Sequence, residues 1–515
     1  MTHSEAAGLI QCEQCREATR NMAVKLLSRT MIGFLLVALY CLPVGAEPFS
    51  AMKALQQQKG ASFSAAIVDL QTRQVLAENS ADRSLIPASV TKLFTAGLAL
   101  ETWGPDHRFE TRLLGSSPLR NGSVENLVLL GGGDPALTDE DFWKMARALS
   151  RKGLRRIEGD LVVNASRFGL VACNVQDRCE ARQASRNAYD APLSSAGSNY
   201  ASWSITVEHQ DGTVRTRLYP FDLPEVELKG HVASERGGYL AARRATLSGG
   251  RDVIELSGSL APGRDGRMLY RSAGNPDLQT GLLFQAFLEE QGISIQGTVR
   301  VTHEPPPKSA VQLVRHSGDR LDSSLAGMMR YSNNYMSDVL LLNLDVDKGG
   351  RPPLSVAEAA QRLQVYAGHL AESSGTLFPD SFSGIRLFDG SGLDTDNRLS
   401  AGALIAVLDH YYRQKPGLFP AFLSSLTVPD HTAGSSLKKR DPDWLRRLAV
   451  KTGGLSEPVT VTSLAGYLRF RDGGWGAFAF LVNGAPGQPI PRAEIFEAMR
   501  QDLAPYWEGT ANQSQ

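Results

Sequence analysis

The spacing of apolar residues predicts the elements at the start of the chain. Residues 51–58 have helical spacing, and the runs 63–69 and 74–77 are rich in β-forming residues on either side of a polar turn, which predicts a hairpin. Pro87 begins the next element, a largely apolar helix of the kind buried inside a domain. Its apolar positions include Leu93, Phe94, Leu98 and Leu100.

The pattern changes between about residues 105 and 310, where short apolar runs are separated by turns rich in glycine and proline. Thr138 and Asp141 form a capping pattern for a helix that runs to Lys152 and stops at Gly153. The prolines at 305–307 are typical of a linker. The candidate strands of this region are 128–130, 157–163, 202–207, 253–256 and 293–301.

Helical spacing returns after the proline run, and the chain ends in strands and an amphipathic helix whose apolar stripe favours core packing. The predicted helices begin near Leu325 and cover 354–370 and 400–412; the predicted strands are 448–450, 462–470 and 477–482. We therefore expect one α/β domain, residues 47–105 plus 310–510, split by a β-rich insertion over residues 106–309. Residues 1–46 are expected to be an N-terminal extension and leader.

Composition narrows the class of protein. The chain has 515 residues, enough for about two to four domains. Its 54 Lys and Arg balance 54 Asp and Glu, so no excess of positive charge favours a nucleic acid or an anionic membrane surface as partner. With 42% hydrophobic and 21% charged residues it has the composition of an ordinary globular protein, so the function has to be sought in local motifs.

The leader predicts export. The apolar run 31–42 follows Lys25 and Arg29 and is too short to span a bilayer, and the small residues Val44 and Ala46 fit a signal peptide cleaved after Ala46. The alternative is a buried core helix. We expect a mature protein in the periplasm without a stable membrane anchor.

The two cysteines that remain after cleavage are six residues apart. Cys173 and Cys179 would form a short-loop disulfide in an oxidising compartment, and two buried free thiols are the alternative.

Three short motifs occur in order along the chain: Ser89-x-x-Lys92, Ser332-Asn333-Asn334 and Lys451-Thr452-Gly453. Positions i and i+3 of a helix share one face, so Lys92 can reach the hydroxyl of Ser89. A neutral amine there could accept the serine proton, and burial together with the charge of Lys451 would favour the neutral form. The alternative is that Ser89 only caps a helix and Lys92 is solvated.

The other motifs supply the remaining functions of a serine acyl-enzyme reaction. Ser332 would relay a proton to the leaving nitrogen, and Asn334 would hold the substrate amide. Lys451 and Thr452 would bind a substrate carboxylate, while Gly453 permits close approach of the backbone. The backbone N–H groups of Ser89 and Gly454 are the candidates for an oxyanion hole.

The ordered motifs resemble those of the penicilloyl serine transferases. Ser89 and Ser332 are 243 positions apart, and this layout is similar to the class C low-molecular-mass penicillin-binding proteins, the D-alanyl-D-alanine carboxypeptidase/endopeptidase family of penicillin-binding-protein-4 type. Further segments that carry the resemblance are 131–135 (GGGDP), 159–162 (GDLV), 389–393 (DGSGL) and 463–467 (SLAGY).

The resemblance implies the β-lactamase-like transpeptidase fold, an antiparallel sheet with flanking helices. It implies Ser89 as nucleophile, Lys92 as base, Ser332 and Asn334 as the second motif, and Lys451 with Thr452 as carboxylate binders. No metal and no organic cofactor are expected. The expected partners are peptidoglycan stem peptides and β-lactam antibiotics, and the resemblance leaves a homodimer open as the assembly.

The chain departs from the family pattern after the DGSGL segment. Family members usually continue with Ser-Arg, whereas Asp394 and Thr395 stand here, so an arginine associated with the diaminopimelate side chain of the stem peptide is missing. Arg398 is the nearby candidate to replace it.

Two rival functions remain. A class C-type β-lactamase or esterase would use Tyr331 as proton carrier and Asn333 in a Tyr-x-Asn motif, although the long insertion argues against it. A non-catalytic wall-binding scaffold is the second. A class A β-lactamase is disfavoured because no Glu-x-x-Asn lies between Lys92 and Lys451, and a zinc peptidase because no His-Glu-x-x-His occurs.

Overall fold

The computed structural model describes residues 47–373, 375–429, 437 and 442–507. The predicted signal peptide and its cleavage site after Ala46 lie outside these residues. Within the described ranges, no helix has both the length and the apolar character needed to cross a membrane.

The described residues contain runs of strands and runs of helices. The helices are α1 (Ser50–Lys59), α2 (Lys92–Trp103), α3 (Asp139–Arg151), α4 (Gln176–Ala181), α5 (Pro276–Glu290), α6 (Leu321–Tyr331), α7 (Asn334–Gly349), α8 (Val356–Glu372), α9 (Ala401–Arg413), α10 (Phe419–Ser425), α11 (Pro442–Leu445) and α12 (Arg492–Trp507). Short 3₁₀ helices lie at Ala88–Thr91, Asn199–Ala201 and Pro379–Phe382.

The strands are β1 (Ser62–Asp69), β2 (Val75–Asn79), β3 (Arg108–Gly115), β4 (Ser123–Val124), β5 (Leu127–Leu130), β6 (Arg156–Ile157), β7 (Leu161–Asn164), β8 (Ala184–Ser185), β9 (Ser202–Gln210), β10 (Thr213–Tyr219), β11 (Val226–Gly230), β12 (Ala233–Ser234), β13 (Leu240–Thr246), β14 (Asp252–Leu260), β15 (Arg267–Ser272), β16 (Ser294–Ile295), β17 (Val299–Thr302), β18 (Val311–Arg320), β19 (Leu448–Leu455), β20 (Val461–Arg469) and β21 (Trp475–Asn483).

A five-stranded antiparallel sheet joins the two ends of the chain in the order β19-β20-β21-β1-β2. The predicted hairpin of β1 and β2 is confirmed, and β1 pairs along its whole length with β21. Strands β20 and β21 are buried along nearly every position because helices cover the sheet, with α9 and α12 packed on it. The expected antiparallel sheet with flanking helices is present, and β19 forms one of its edges.

The apolar helix predicted after Pro87 is α2, and it runs through the interior. Its first six residues, Lys92 to Gly97, are all buried. Helices α7, α8 and α9 pack around it, and their apolar side chains form one continuous core with those of the sheet. The burial places Lys92 inside this core, which excludes the alternative of a solvated lysine.

The segment between β3 and β18 contains four further sheets, in the orders β10-β9-β15, β11-β14-β13-β8, β16-β6-β4 and β17-β7-β5-β3-β18. Most of its apolar residues form a second buried cluster. Strand β18 returns beside β3, in antiparallel pairing. The domain boundaries at residues 106 and 309 stay a prediction.

Two predicted strands of this region, 157–163 and 293–301, were wrong as single elements. Each is divided between two sheets, the first into β6 and β7 and the second into β16 and β17. The chain turns at Gly159 and Gly297, where the N–H of Gly297 donates to the carbonyl of Gly159 over 2.9 Å. A Cβ on Gly297 would lie 2.5 Å from that carbonyl oxygen, so the crossing requires glycine.

Helix α5 was not predicted from the sequence, because no element was assigned between the candidate strands 253–256 and 293–301. Asn275 caps the helix by accepting from the N–H groups of Asp277 and Leu278, and Pro276 occupies its first turn. Ten of its fifteen residues are buried, so the polar stripe that marks most helices is almost absent. The Asn-Pro start was the one signal available.

Candidate active site

Ser89 lies in a strained turn at the head of the buried helix. The 3₁₀ helix Ala88–Thr91 leads directly into α2, and Ala88 adopts a positive φ of 50°. Thr91 Oγ1 donates to the Ala88 carbonyl over 2.9 Å, and Ser463 Oγ donates to the Pro87 carbonyl over 2.7 Å. These bonds hold a conformation that an alanine rarely adopts, and the hydroxyl of Ser89 faces a cleft.

Lys92 joins the first two motifs. Its Nζ donates to Ser89 Oγ over 3.0 Å, to Asn334 Oδ1 over 2.8 Å and to the carbonyl of Ser391 over 2.6 Å. The side chain is fully buried. Burial lowers the pKa of Lys92 to about 7, while the carboxylates of Asp338 and Asp389 oppose that change. Burial therefore favours the neutral form of this amine, in which Nζ donates to Asn334 and Ser391 and accepts from the Ser89 hydroxyl.

Ser332 and Asn334 lie at the junction of α6 and α7. Ser332 ends α6 in a left-handed conformation, with φ 52° and ψ 39°, and Asn334 is the first residue of α7. The amide of Asn334 accepts from Lys92 and donates to the carbonyl of Tyr189 over 3.2 Å. The Ser332 hydroxyl accepts a 2.8 Å hydrogen bond from Lys451 Nζ.

The residues of the rival Tyr-x-Asn motif occupy different positions. Tyr331 is 71% exposed and stacks with Arg330 rather than lining the cleft. Asn333 caps α7, its Oδ1 accepting from the N–H of Met336 over 3.0 Å. Neither side chain contacts Ser89 or Lys92, so this geometry offers no support to the rival motif.

Lys451 is buried beneath the strand edge. It is 1% exposed, and its Nζ donates to Ser332 Oγ and to the carbonyl of Thr452 over 2.7 Å. Burial lowers its pKa well below the usual value, and the neighbouring charge of Lys92 lowers it further. Its amine is hydrogen-bonded inside the protein, and the side chain does not line the cleft.

Strand β19 presents alternate backbone groups to the cleft. Val450 exchanges both backbone hydrogen bonds with Thr427 on the side away from β20. Because these groups alternate along an antiparallel strand, the N–H groups of Thr452 and Gly454 also point away from β20. Gly453 lies against the nucleophile turn, since a Cβ there would be 3.0 Å from the N atom of Ser89.

The DGSGL segment forms a tight turn behind Ser89. Asp389 accepts from the backbone N–H groups of Gly392, Leu393 and Asp394 over 2.7 to 2.9 Å. The hydroxyls of Thr95 and Ser337 bind the carbonyl of Gly390 from α2 and α7. Gly392 has a φ of +78°, and a Cβ on it would lie 1.9 Å from the Ala88 carbonyl oxygen, so a side chain there would displace the nucleophile turn.

A buried ion pair links this turn to helix α4. Asp338 accepts from the N–H of Gly390 over 2.8 Å and pairs with Arg178, which also donates to the carbonyl of Ala191. Both charged side chains are almost completely buried. Burial raises the pKa of Asp338 to about 6, although Arg178 opposes the rise. Arg178 lies between Cys173 and Cys179, which form a disulfide.

Ser89, Ser332, Asn334 and Gly454 line a cleft of about 830 Å³. Its other walls come from the loop before α4, the DGSGL turn, the end of β19 and the start of α12. Among the described lining residues Arg492 carries the one positive charge, against the carboxylates of Asp177, Asp394, Asp396 and Glu457.

The three motifs are recognisable in the sequence, whereas Arg178, Asp338 and Arg492 are not. Each is a lone charged residue, and none forms a short motif with its neighbours. The candidate replacement Arg398 donates to the carbonyls of Thr395 and Asn397 over 2.7 and 2.8 Å and does not line the cleft. Within the described ranges, no group of three or more His, Cys, Asp or Glu is arranged to hold a metal ion.

Comparisons with known proteins match nearly the whole described chain. The sequence profile of the family described as D-Ala-D-Ala carboxypeptidase 3 (S13) matches residues 50–503. A D-alanyl-D-alanine carboxypeptidase of Actinomadura sp. (strain R39) is 28% identical over 481 residues, covering 87% of this chain and 82% of the relative. The D-alanyl-D-alanine carboxypeptidase DacB of Haemophilus influenzae is 24% identical over 475 residues, 89% of this chain and 93% of the relative.

Solved structures show the same fold. The crystal structure of penicillin-binding protein 4 (dacB) from Haemophilus influenzae has a TM-score of 0.70 at 22% identity, covering 89% of this chain and 99% of the other. A second structure of that protein, in complex with a β-lactam, has a TM-score of 0.67 at 21% identity over the same shares of the two chains.

Proposed function

The chain belongs to the D-Ala-D-Ala carboxypeptidase 3 (S13) family, and from this premise we propose that it is an exported serine DD-peptidase acting on peptidoglycan. It cleaves the terminal D-Ala-D-Ala bond of stem peptides and D-Ala-containing cross-links through an acyl-enzyme on Ser89. Curated relatives are named D-alanyl-D-alanine carboxypeptidases. One observation carries the assignment: the Lys92 amine contacts the Ser89 hydroxyl and the Asn334 amide together.

Acylation begins with transfer of the Ser89 proton to neutral Lys92. The 3.0 Å contact between Nζ and Oγ supports this step, and the lowered pKa of Lys92 supplies an acceptor near neutral pH. The serine oxygen then bonds to the carbonyl carbon of the substrate. The backbone N–H groups of Ser89 and Gly454 stabilise the negative charge that develops on the carbonyl oxygen.

The second motif completes the transfer. As the carbon–nitrogen bond breaks, Ser332 gives its proton to the leaving amine and takes one from Lys451, to which its hydroxyl is hydrogen-bonded. The proton that Lys92 took from Ser89 then restores Lys451, so the step leaves both lysines and Ser332 as they began. Asn334 orients both Lys92 and the substrate amide. Water then adds to the carbonyl carbon of the ester. The bond between this carbon and Ser89 Oγ breaks, and a proton of the water returns to the serine.

Export to the periplasm and inhibition by β-lactams are part of the same proposal. The leader over residues 1–46 supports export. The Haemophilus influenzae protein of the same fold was solved with a β-lactam bound. A β-lactam acylates Ser89 by the route that the substrate follows. This proposal applies equally to a monomer and to a homodimer.

Release of D-alanine from a pentapeptide ending in D-Ala-D-Ala tests this function. The purified exported protein should release it, Ser89→Ala should not, and Ser84→Ala, a matched serine five residues earlier, should behave as the wild type. Failure of the wild type to release D-alanine and to cut a D-Ala-containing cross-link would favour a non-catalytic scaffold.

A second measurement separates the peptidase from the β-lactamase alternative. The peptidase should form a long-lived adduct with a cephalosporin, and Tyr331→Phe should leave acylation unchanged. Rapid steady-state hydrolysis of the cephalosporin that is lost in Tyr331→Phe would establish the alternative instead.

A further inference from the structure

The substrate of the proposed reaction carries a carboxylate next to the scissile bond, and the cleft must offer it a cation or strong donors. Lys451 is the cation that the sequence predicts for this role. In the structure its side chain is 1% exposed and donates to Ser332 and to its own strand, which leaves one N–H of the charged form for a ligand. A second cation at the surface of the cleft would supply the remaining contacts of a carboxylate.

Arg492 lies where that cation is required. It is exposed and lines the cleft with Ser89 and Gly454. A Cβ on Gly454 would be 2.6 Å from the Cζ of Arg492 and 2.9 Å from both of its terminal nitrogens. The guanidinium therefore covers the strand at the residue whose N–H serves the proposed oxyanion hole, and glycine at 454 makes this approach sterically allowed.

Two further features distinguish Arg492 from an ordinary surface arginine. No acidic side chain of the described residues forms an ion pair with it, although Glu457 also lines the cleft. It is the first residue of the sixteen-residue helix α12, and a positive charge at a helix N-terminus is disfavoured by the helix dipole. Helix stability therefore does not account for this arginine.

We propose that Arg492 binds the carboxylate of the amino acid that leaves in the reaction, with the Thr452 hydroxyl as second donor. This assignment rests on the proposed DD-peptidase function. Thr452 and Gly454 lie on the same face of β19 because side chains alternate along a strand, so a carboxylate can contact the hydroxyl and the guanidinium together. Arg492 thus selects substrates with a free carboxylate after the scissile bond.

The test compares two peptides that differ only in this carboxylate. One ends in D-Ala-D-Ala and the other in D-Ala-D-alaninamide. The wild type should favour the free acid. Arg492→Gln should lower kcat/KM for the acid by about 10- to 100-fold, the range for losing a hydrogen bond to a charged group, and leave the amide within about twofold. Arg492→Lys should recover part of the loss.

The control is Arg471→Gln. Arg471 is exposed and follows the end of β20 at Arg469, whereas Gly454 pairs near the start of that strand. The variant should keep the wild-type preference for the free acid over the amide. Equal losses on the acid and the amide in Arg492→Gln, or no loss on the acid, would overturn the assignment to Arg492 and leave the proposed function intact.

A second readout uses β-lactams. The rate of acylation by a penicillin and by its methyl ester should differ in the wild type and become similar in Arg492→Gln. If the wild-type protein is acylated by neither and hydrolyses neither peptide, the proposed function itself fails, and the role of Arg492 fails with it.

Discussion

Lys92 and Asn334 are 242 positions apart in sequence, and the Nζ of Lys92 donates a 2.8 Å hydrogen bond to the Oδ1 of Asn334. The contact fixes the amine between the serine hydroxyl and the second motif, inside a core that excludes water. Burial disfavours the charged form of the amine, and this makes it useful as a base.

The rate of acylation should therefore depend on pH through Lys92. The neutral fraction of the amine increases as pH rises through about 7, so the second-order rate constant for acylation of Ser89 by penicillin should rise over this range and then level off. Stopped-flow or quenched labelling between pH 5 and 9 measures it. A rate that is flat, or that falls as pH rises through 7, would contradict a neutral Lys92 as base.

Replacing Gly392 by alanine should slow acylation at least about tenfold. A left-handed conformation costs an alanine about 1–2 kcal/mol, and the added Cβ would also collide with the Ala88 carbonyl beside the nucleophile. Gly473→Ala is the matched control, because Gly473 has a φ of +94° and no heavy atom within 4 Å of a built Cβ. Equal acylation rates in the two variants would show that the contact with Ala88 has no functional effect.

Removing Arg178 should destabilise the protein and weaken the active site together. Arg178→Met leaves the buried Asp338 carboxylate without its partner, which typically costs about 3–5 kcal/mol of unfolding free energy. Because Asp338 also holds the N–H of Gly390, acylation should slow as well. Urea unfolding and penicillin labelling measure the two effects.

The control for that variant is an exposed ion pair. Glu140→Gln removes the partner of Lys144 on the surface of α3 and should leave the unfolding midpoint unchanged. An Arg178→Met protein as stable as Glu140→Gln would refute a structural role for the buried pair.

Sequence patterns predicted the parts of this structure that depend on local spacing. The i, i+3 relation of Ser89 and Lys92, the apolar character of α2 and the hairpin of β1 and β2 all follow from short windows of sequence. Ser332 and Lys451 were assigned to the same site as Ser89 and Lys92 because the order of their motifs along the chain resembles that of a known family.

The parts that depend on distant contacts were not predictable in this way. Arg178 and Asp338 are 160 residues apart, and Arg492 reaches Gly454 only after the last helix has packed on the sheet. The division of two predicted strands at Gly159 and Gly297 likewise results from the contact between those glycines. A single sequence shows each of these residues without its partner.

Mass spectrometry of the penicillin-treated exported protein shows directly whether Ser89 is the nucleophile. We expect one penicilloyl group per chain, located by peptide mapping on Ser89 and absent from Ser89→Ala. An adduct on another residue, labelling that persists in Ser89→Ala, or no adduct at all would contradict Ser89 as the nucleophile.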